Sequence, residues 1–439
     1  MPCNETMKVL KNIFAIVCLG CMLAVFLLGA ADYFNTQIHN YYLADGSVDY
    51  DSSWDGTKDY PPESGVEIDE EDSVLSPFEY FAESWTERVS EDSEFYDTAV
   101  YLTKWFDLSI GFNVTTSISA VNDTTDLEDI VVDLGDGYLS RIIDPDKADT
   151  TGKSSVWKLV SFGQSVEEAG RNFLFLLAPV KTEVTDYSGA LSEIYPDASV
   201  EFADYIMASV EEAGLDAVSI VDEMEADGLA TLEAFYKTDH HWTAETGLYV
   251  CGLLGETLNS LYDYTIDTSV FDLENYTATL LEDYWLGSLG RKSSNLYCEL
   301  EDFTLYIPNY ETELTVYRSN TNFTYYGSIQ KTLFNYAYLN GSYQTLNFNA
   351  YMFYGFGDMA YISVENHNLD DGSHVLLLKN SYSDCMIPYL TTAFQYLDVI
   401  DLRYYDGSLE AIIEDIDPDT IVVLYSTDGF ADSRLFDFE

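Results

Sequence analysis

The sequence predicts an α/β protein: a three-layer α/β/α arrangement around a mostly parallel sheet, with a β-rich lobe inserted in it. Three observations point there. Short apolar runs alternate with helical stretches between residues 150 and 260 and again after 370, which is the pattern of parallel strands covered on both faces. Between about 260 and 350 the period shortens to two, with Tyr, Thr and Asn alternating with apolar residues as antiparallel strands require. With 439 residues, 47% of them hydrophobic, the chain suffices for one large domain with insertions or for two average ones.

Residues 12–31 carry no charge, and Lys8 and Lys11 precede them. About twenty apolar residues cross a hydrocarbon core, and the basic flank stays cytoplasmic. Residues 1–34 are therefore expected to be a single-pass anchor in the cell membrane, with the body on the extracellular side. Gly29-Ala30-Ala31 offers a cleavage site, but the apolar run is long for a removed signal. Residues 35–76 are acidic and turn-rich, including Pro61-Pro62 and Asp69-Glu70-Glu71-Asp72, and read as a solvated stalk.

The domain expected over 77–439 begins with helical spacing at 77–108. Gly135-Asp136-Gly137 makes a tight turn into a strand. A helix at 154–170 leads into a buried strand at 171–179. A helix at 199–213 is followed by a strand at 217–221, and another helix fills 244–258. After the lobe come a strand at 375–379, a helix at 385–395, a strand at 399–402, a helix at 409–415 and a strand at 421–426.

Seventy-seven acidic residues against 19 basic ones give a net charge of −58. Such a chain repels nucleic-acid phosphates, so a nucleic-acid partner is excluded. Three of the six cysteines, Cys251, Cys298 and Cys385, lie in the body; a single Cys251–Cys298 bridge is conceivable, but the odd number argues against a stapled scaffold.

The chemistry concentrates in Tyr236-Lys237-Thr238-Asp239-His240-His241-Trp242-Thr243, which holds two of only five histidines. Histidine titrates near neutrality, and an aspartate beside it can fix its tautomer. Adjacent residues of an extended segment face opposite ways, so Asp239 and His241 would share a face while His240 packs elsewhere. A satisfied core cluster and a metal site are the rival readings. No His-x-Asp-x-Asp companion exists, so no metal and no cofactor are expected. Far downstream, the strand at 375–379 ends at Lys379-Asn380-Ser381-Tyr382. A serine there is presented at the carboxyl edge of the sheet, or it simply caps the following helix.

The run from Tyr236 to Thr243 resembles the signature of the DHHW family, which is related to the SGNH-hydrolase-like domains of alginate O-acetyltransferase accessory proteins. Further pieces fall in the family's order: Gly135-Asp136-Gly137-Tyr138-Leu139, Ala178-Pro179-Val180-Lys181, Gly287-Ser288-Leu289-Gly290-Arg291, Lys379-Asn380-Ser381-Tyr382 and Asp401-Leu402-Arg403-Tyr404-Tyr405. The resemblance implies an SGNH-hydrolase-like fold with permuted motif order. It also implies a triad in which Asp239 orients, His241 is the base and Ser381 the nucleophile. Tyr382, Gly287 and Ser288 are then expected around the oxyanion, with His240 and Trp242 in support. The family commonly has Asp where this chain has Asn380, which puts the charge at that point in doubt. The implied function is serine-dependent O-acetyl transfer or ester cleavage on cell-surface polysaccharide, with a membrane-bound O-acyltransferase partner supplying the acyl group. An inactive glycan-binding or assembly protein on the same fold is the alternative.

Overall fold

Apolar runs that read as strands line up in one eight-stranded sheet, and the helices between them cover its faces. The computed structural model describes residues 131–439 except 189–191, 193–194, 294–297, 337–348 and 439. The expected anchor, the stalk and the helical stretch at 77–108 lie outside the described residues. Among the described residues, no helix is long and apolar enough to cross a membrane. One compact unit spans Asn122–Arg291 and Cys298–Glu439.

It opens with a hairpin of β1 (Val131–Asp133) and β2 (Leu139–Arg141), turned by Gly135-Asp136-Gly137, all at positive φ. Helix α1 (Lys153–Glu168) leads into β3 (Asn172–Ala178), and α2 (Ser199–Glu212) into β4 (Asp216–Ser219). The strand expected to reach 221 stops at Ser219, whose hydroxyl accepts from Asp222 N and starts α3 (Ile220–Ala226). Helix α4 (Ala244–Leu261) stands directly behind the histidine pair, capped by Thr243. The strands β5 (Tyr276–Trp285), β6 (Glu301–Pro308), β7 (Leu314–Arg318), β8 (Phe323–Gly327), β9 (Tyr361–Asn366), β10 (His374–Lys379) and β11 (Tyr396–Ile400) follow. Helix α5 (Leu409–Ile416) and β12 (Thr420–Ser426) close the order.

In the sheet the order is β4-β3-β12-β10-β11-β9-β7-β8. The first five strands are parallel and the last three continue antiparallel. Alternation along the central strands divides the core. Phe173, Phe175, Leu376, Leu378, Ile421 and Val423 pack with Leu159 and Ile206 of α1 and α2. Leu174, Leu176, Val375, Leu377, Val422 and Leu424 pack with Leu248, Leu254 and Leu258 of α4. Burial on both faces is why these strands read as unbroken apolar runs.

Two expectations are corrected here. The strands foreseen between 260 and 350 exist, but only β5 and β6 form a separate ribbon. β7 and β8 extend the main sheet, because β7 alternates buried Leu314, Val316 and Arg318 and pairs with β9. The helix expected over 385–395 is reduced to one turn, Ile387–Leu390, with Pro388 at its start. Thr391 and Thr392 hydroxyls bond back to Pro388 O and Tyr389 O, and the chain enters β11 at Tyr396. Cys251 and Cys385 are buried free thiols, so the conceivable Cys251–Cys298 bridge does not form.

Gly163 tests how tightly α1 sits on the sheet. A Cβ there would lie 2.7 Å from Leu215 and 2.8 Å from Phe173. Gly163→Ala is expected to destabilise by about 1–3 kcal/mol, read as a lower urea midpoint; an unchanged midpoint contradicts this packing.

Candidate active site

Strands β3, β12 and β10 are parallel neighbours, so the segments leaving their carboxyl ends share one edge of the sheet. Those segments carry Lys181, Asp428 and Ser381. After β10, Asn380 continues extended and a 3₁₀ turn, Ser381–Ser383, follows. Asn380 Oδ1 accepts from Tyr382 N at 3.3 Å, which holds Ser381 at the apex.

The histidines arrive from the loop before α4. Phe235 bridges Trp242, and Tyr236 N donates to His241 O at 3.1 Å. The segment between is bent rather than extended, because Asp239 Oδ1 accepts from both the backbone N–H of His241 (3.1 Å) and its Nδ1 (2.5 Å). The bend brings the two imidazoles within 3.7 Å of each other, so the expectation that His240 faces away is corrected. His241 Nε2 lies 2.8 Å from Ser381 Oγ. Asp239, His241 and Ser381 therefore form one continuous hydrogen-bonded line.

The line is braced from every side. The ring of Tyr351 stacks on His241 at 4.1 Å, nearly parallel, and its hydroxyl donates to Tyr382 O. Trp242 Nε1 donates to the same carbonyl at 2.8 Å. Tyr382 returns its hydroxyl to His240 O, and His240 Nδ1 meets Ser288 Oγ at 3.0 Å. Asp239 is wholly buried. Burial pushes its carboxyl up, but His241, His240 and the Ser288 N–H outweigh that and hold it well below the usual range. His240 is pushed well below the usual imidazole range by burial, then by His241 and Arg141, against the opposing charge of Asp239.

The glycine loop packs on Thr238 and Asp239. Gly287 N donates to Thr238 Oγ1, Gly290 N to Thr238 O, and Ser288 N to Asp239 Oδ2 at 2.7 Å. The N–H groups of Gly287, Ser288 and Tyr382 thus all hold protein partners. A side chain at 287 would stand 2.5 Å from Asp239 Cβ, so only glycine allows the approach.

Two buried clusters were not legible as a site. Lys181 Nζ donates to the carbonyls of Leu139 (2.6 Å), Lys237 (3.1 Å) and Asp239 (2.5 Å). Glu301 accepts from the N–H groups of Lys237 and Thr238 and from the Thr238 hydroxyl. Burial pushes Lys181 down to about 8 and Glu301 up to about 7, each opposed by the other's charge. Beneath the serine turn, Lys379 binds Asp384 (2.6 Å), Asp401 (3.1 Å) and Asp358 (3.3 Å), and Arg403 binds Asp401 and Asp358. Lys181, Lys379, Asp401 and Arg403 sit in motifs noted in the sequence. Glu301, Asp384 and Tyr351 carry no local signal, being one acid among 77 acidic residues or one tyrosine among 36.

Asp239, His240 and His241 bring ligand atoms within 4.8 Å of one another, as a metal site would. However, both Asp239 oxygens and both His241 nitrogens already hold protein partners. Beside His240 and Tyr382 opens a small cavity, lined also by Arg141, Lys181 and Asp428.

Fold and site together define an α/β protein with an acid–histidine–serine line at a parallel sheet edge. Residues 227–400 match the family model described as DHHW protein. No curated protein matches the chain. Among solved structures, Bacillus cereus PatB1 is similar at 17% identity, over 71% of this chain and 99% of that one, with a TM-score of 0.56. PatB1 with a sulfonyl adduct is similar at 18% identity, over 71% and 100% of the two chains, with a TM-score of 0.54. A DHHW family protein from Eubacterium siraeum is similar at 18% identity, over 71% and 96% of the two chains, with a TM-score of 0.52. At these identities the likeness is one of fold.

Two outcomes follow. Gly287→Ala is expected to displace Asp239 and lower the melting temperature; an unchanged temperature contradicts the contact. The second concerns pH. Burial raises Glu301 to about 7, Glu183 to about 8 and Asp384 to about 7. A raised carboxyl stabilises the fold fully below its unfolded value near 4, and that stability is lost as pH rises through the folded value. Lys181, lowered to about 8, is relieved only above that pH. His240, held below the usual imidazole range, opposes this up to about pH 6.5; three raised carboxyls outweigh one imidazole, so the melting temperature is expected to fall between about pH 5 and pH 8, and a rise over that window contradicts the assignment.

Proposed function

We propose that the protein is an exported, membrane-anchored, serine-dependent O-acetyltransferase or acetylesterase of the SGNH-hydrolase-like kind, acting on cell-surface polysaccharide. The observation that supports it most is the Asp239–His241–Ser381 line, with 2.5 and 2.8 Å links. A serine hydroxyl is a weak nucleophile until a base is placed to take its proton.

In this reading Ser381 Oγ attacks the carbonyl of an acetyl donor as its proton passes to His241 Nε2. Asp239 keeps Nδ1 protonated and stabilises the imidazolium. The tetrahedral adduct collapses, the donor's leaving group takes the proton, and an acetyl-serine remains. A sugar hydroxyl or water then attacks the acetyl carbon, His241 takes its proton, and Ser381 is regenerated. Outside the membrane, a membrane-bound O-acyltransferase partner supplies the acetyl group. Residues 1–34 are the anchor, 35–76 the stalk and 77–439 the catalytic domain.

Full-length protein in detergent should release acetate from p-nitrophenyl acetate. Ser381→Ala and His241→Ala are each expected to reduce the rate at least about 100-fold, and Asp239→Asn by about 100- to 10,000-fold. A Ser381→Ala variant as active as the parent contradicts the reading.

A further inference from the structure

Asn380 stands where the family commonly has an aspartate, next to the nucleophile of the proposed reaction. Its hydrogen bonds have a forced direction. Tyr382 N–H can only donate, so the amide turns Oδ1 toward it at 3.3 Å. Nδ2 must then face the other way, where it donates to Ser426 Oγ at 2.8 Å. A serine hydroxyl has one proton. With its oxygen accepting from Asn380, Ser426 gives that proton to Asp428 Oδ1. Asn380 and Ser426 are buried, and Gly429 leaves free the space beside Nδ2 that a Cβ, at 2.9 Å, would fill. Beyond Ser426, the other oxygen of Asp428 faces Arg141 Nη1 at 3.8 Å, on the wall of the cavity beside Tyr382 and His240.

We infer that Asn380 is a positioning residue whose amide fixes a one-way relay, Tyr382 to Asn380 and Asn380 through Ser426 to Asp428, and that Asp428 supplies the carboxylate absent at position 380. The inference builds on the proposed role of Ser381. Capping of the serine turn needs only an acceptor at Oδ1, which Asn and Asp share. The charge stands one hydroxyl away, tying the turn to the cavity wall. An aspartate at 380 would leave two carboxylates competing for the single proton of Ser426. One of them would lose its hydrogen bond, and like charges would meet in a buried site.

The prediction is a reversal rather than a simple loss. Asn380→Asp alone breaks the relay. Asn380→Asp combined with Asp428→Asn rebuilds it in the opposite sense: the carboxylate at position 380 accepts from Tyr382 N and Ser426 Oγ, and Ser426 accepts from Nδ2 of the amide at position 428. Asp428→Asn alone keeps the original direction, with the new amide offering Oδ1 to Ser426.

The test uses the full chain in detergent and two readouts. The melting temperature of Asn380→Asp is expected to fall by at least about 4 °C, with most of the loss recovered in the double variant. Asp428→Asn is expected to lose less than Asn380→Asp. At about 20 °C, well below unfolding, the turnover number for p-nitrophenyl acetate is expected to drop at least tenfold in Asn380→Asp and to recover at least threefold in the double variant. An Asn380→Asp protein as stable and as fast as the parent overturns the inference. So does a double variant no better than the single one, or one that fails to fold while Asp428→Asn folds. Recovery of stability without recovery of turnover also overturns it, because the relay would then support the fold alone. If the parent protein cleaves no ester, the proposed reaction falls, and the melting temperatures still decide whether the relay exists.

Discussion

A fully buried carboxylate, Asp239, governs the arrangement of the site. Removing an ion from water costs several kcal/mol unless hydrogen bonds and opposite charge replace the lost hydration. Here Oδ1 takes the backbone and ring N–H of His241, and Oδ2 takes the N–H of Ser288. Each donor needs its own support. Ser288 is within reach because Gly287 lets two backbones touch, and His241 is aimed by the bend that Asp239 itself closes. The peptide carrying Asp239 is held by the ammonium of Lys181 on its carbonyl, while Glu301 fixes the preceding Thr238. The acid both orients the histidine and organises the loops around it.

The nucleophile's side of the site rests on a different solution to the same problem. Three carboxyl groups and two cations, Asp358, Asp384, Asp401, Lys379 and Arg403, bind one another beneath the serine turn. Breaking one member of such a cluster leaves an uncompensated charge, so the cluster fixes the turn's position more than it adds stability. Parallel neighbours then place both halves at one edge. Lys181 follows β3, Ser381 follows β10, and the Ser426–Asp428 pair ends β12. The antiparallel strands β9, β7 and β8 stand away from that edge and widen the sheet.

Much of this was legible in the sequence where local pattern and tertiary environment agree. The central strands are apolar throughout because both faces are covered, and helices α1, α2 and α4 lie within a few residues of their periodicity. The helix foreseen after Ser381 was illegible because apolar content there reflects burial, and Pro388 and two threonines end the helix after one turn. Alternation at 314–318 announced a strand but not its partner, since β9 lies far downstream in the chain. The histidine bend was hidden for a related reason: its shape comes from a side-chain hydrogen bond of Asp239, which residue periodicity does not carry. The motif pieces around Lys181, Gly287 and Lys379 were visible as a set; their roles emerged only once the residues that surround them in space, such as Glu301 and Asp384, were in place.

The central claim is that His241, oriented by Asp239, activates Ser381. Covalent capture tests it most directly. Full-length protein treated with phenylmethylsulfonyl fluoride should gain one sulfonyl group, mapped by peptide mass spectrometry to Ser381, with labelling strongly slowed in His241→Ala. Labelling spread over exposed hydroxyls, or labelling of Ser381 at the same rate without the imidazole, would contradict the account.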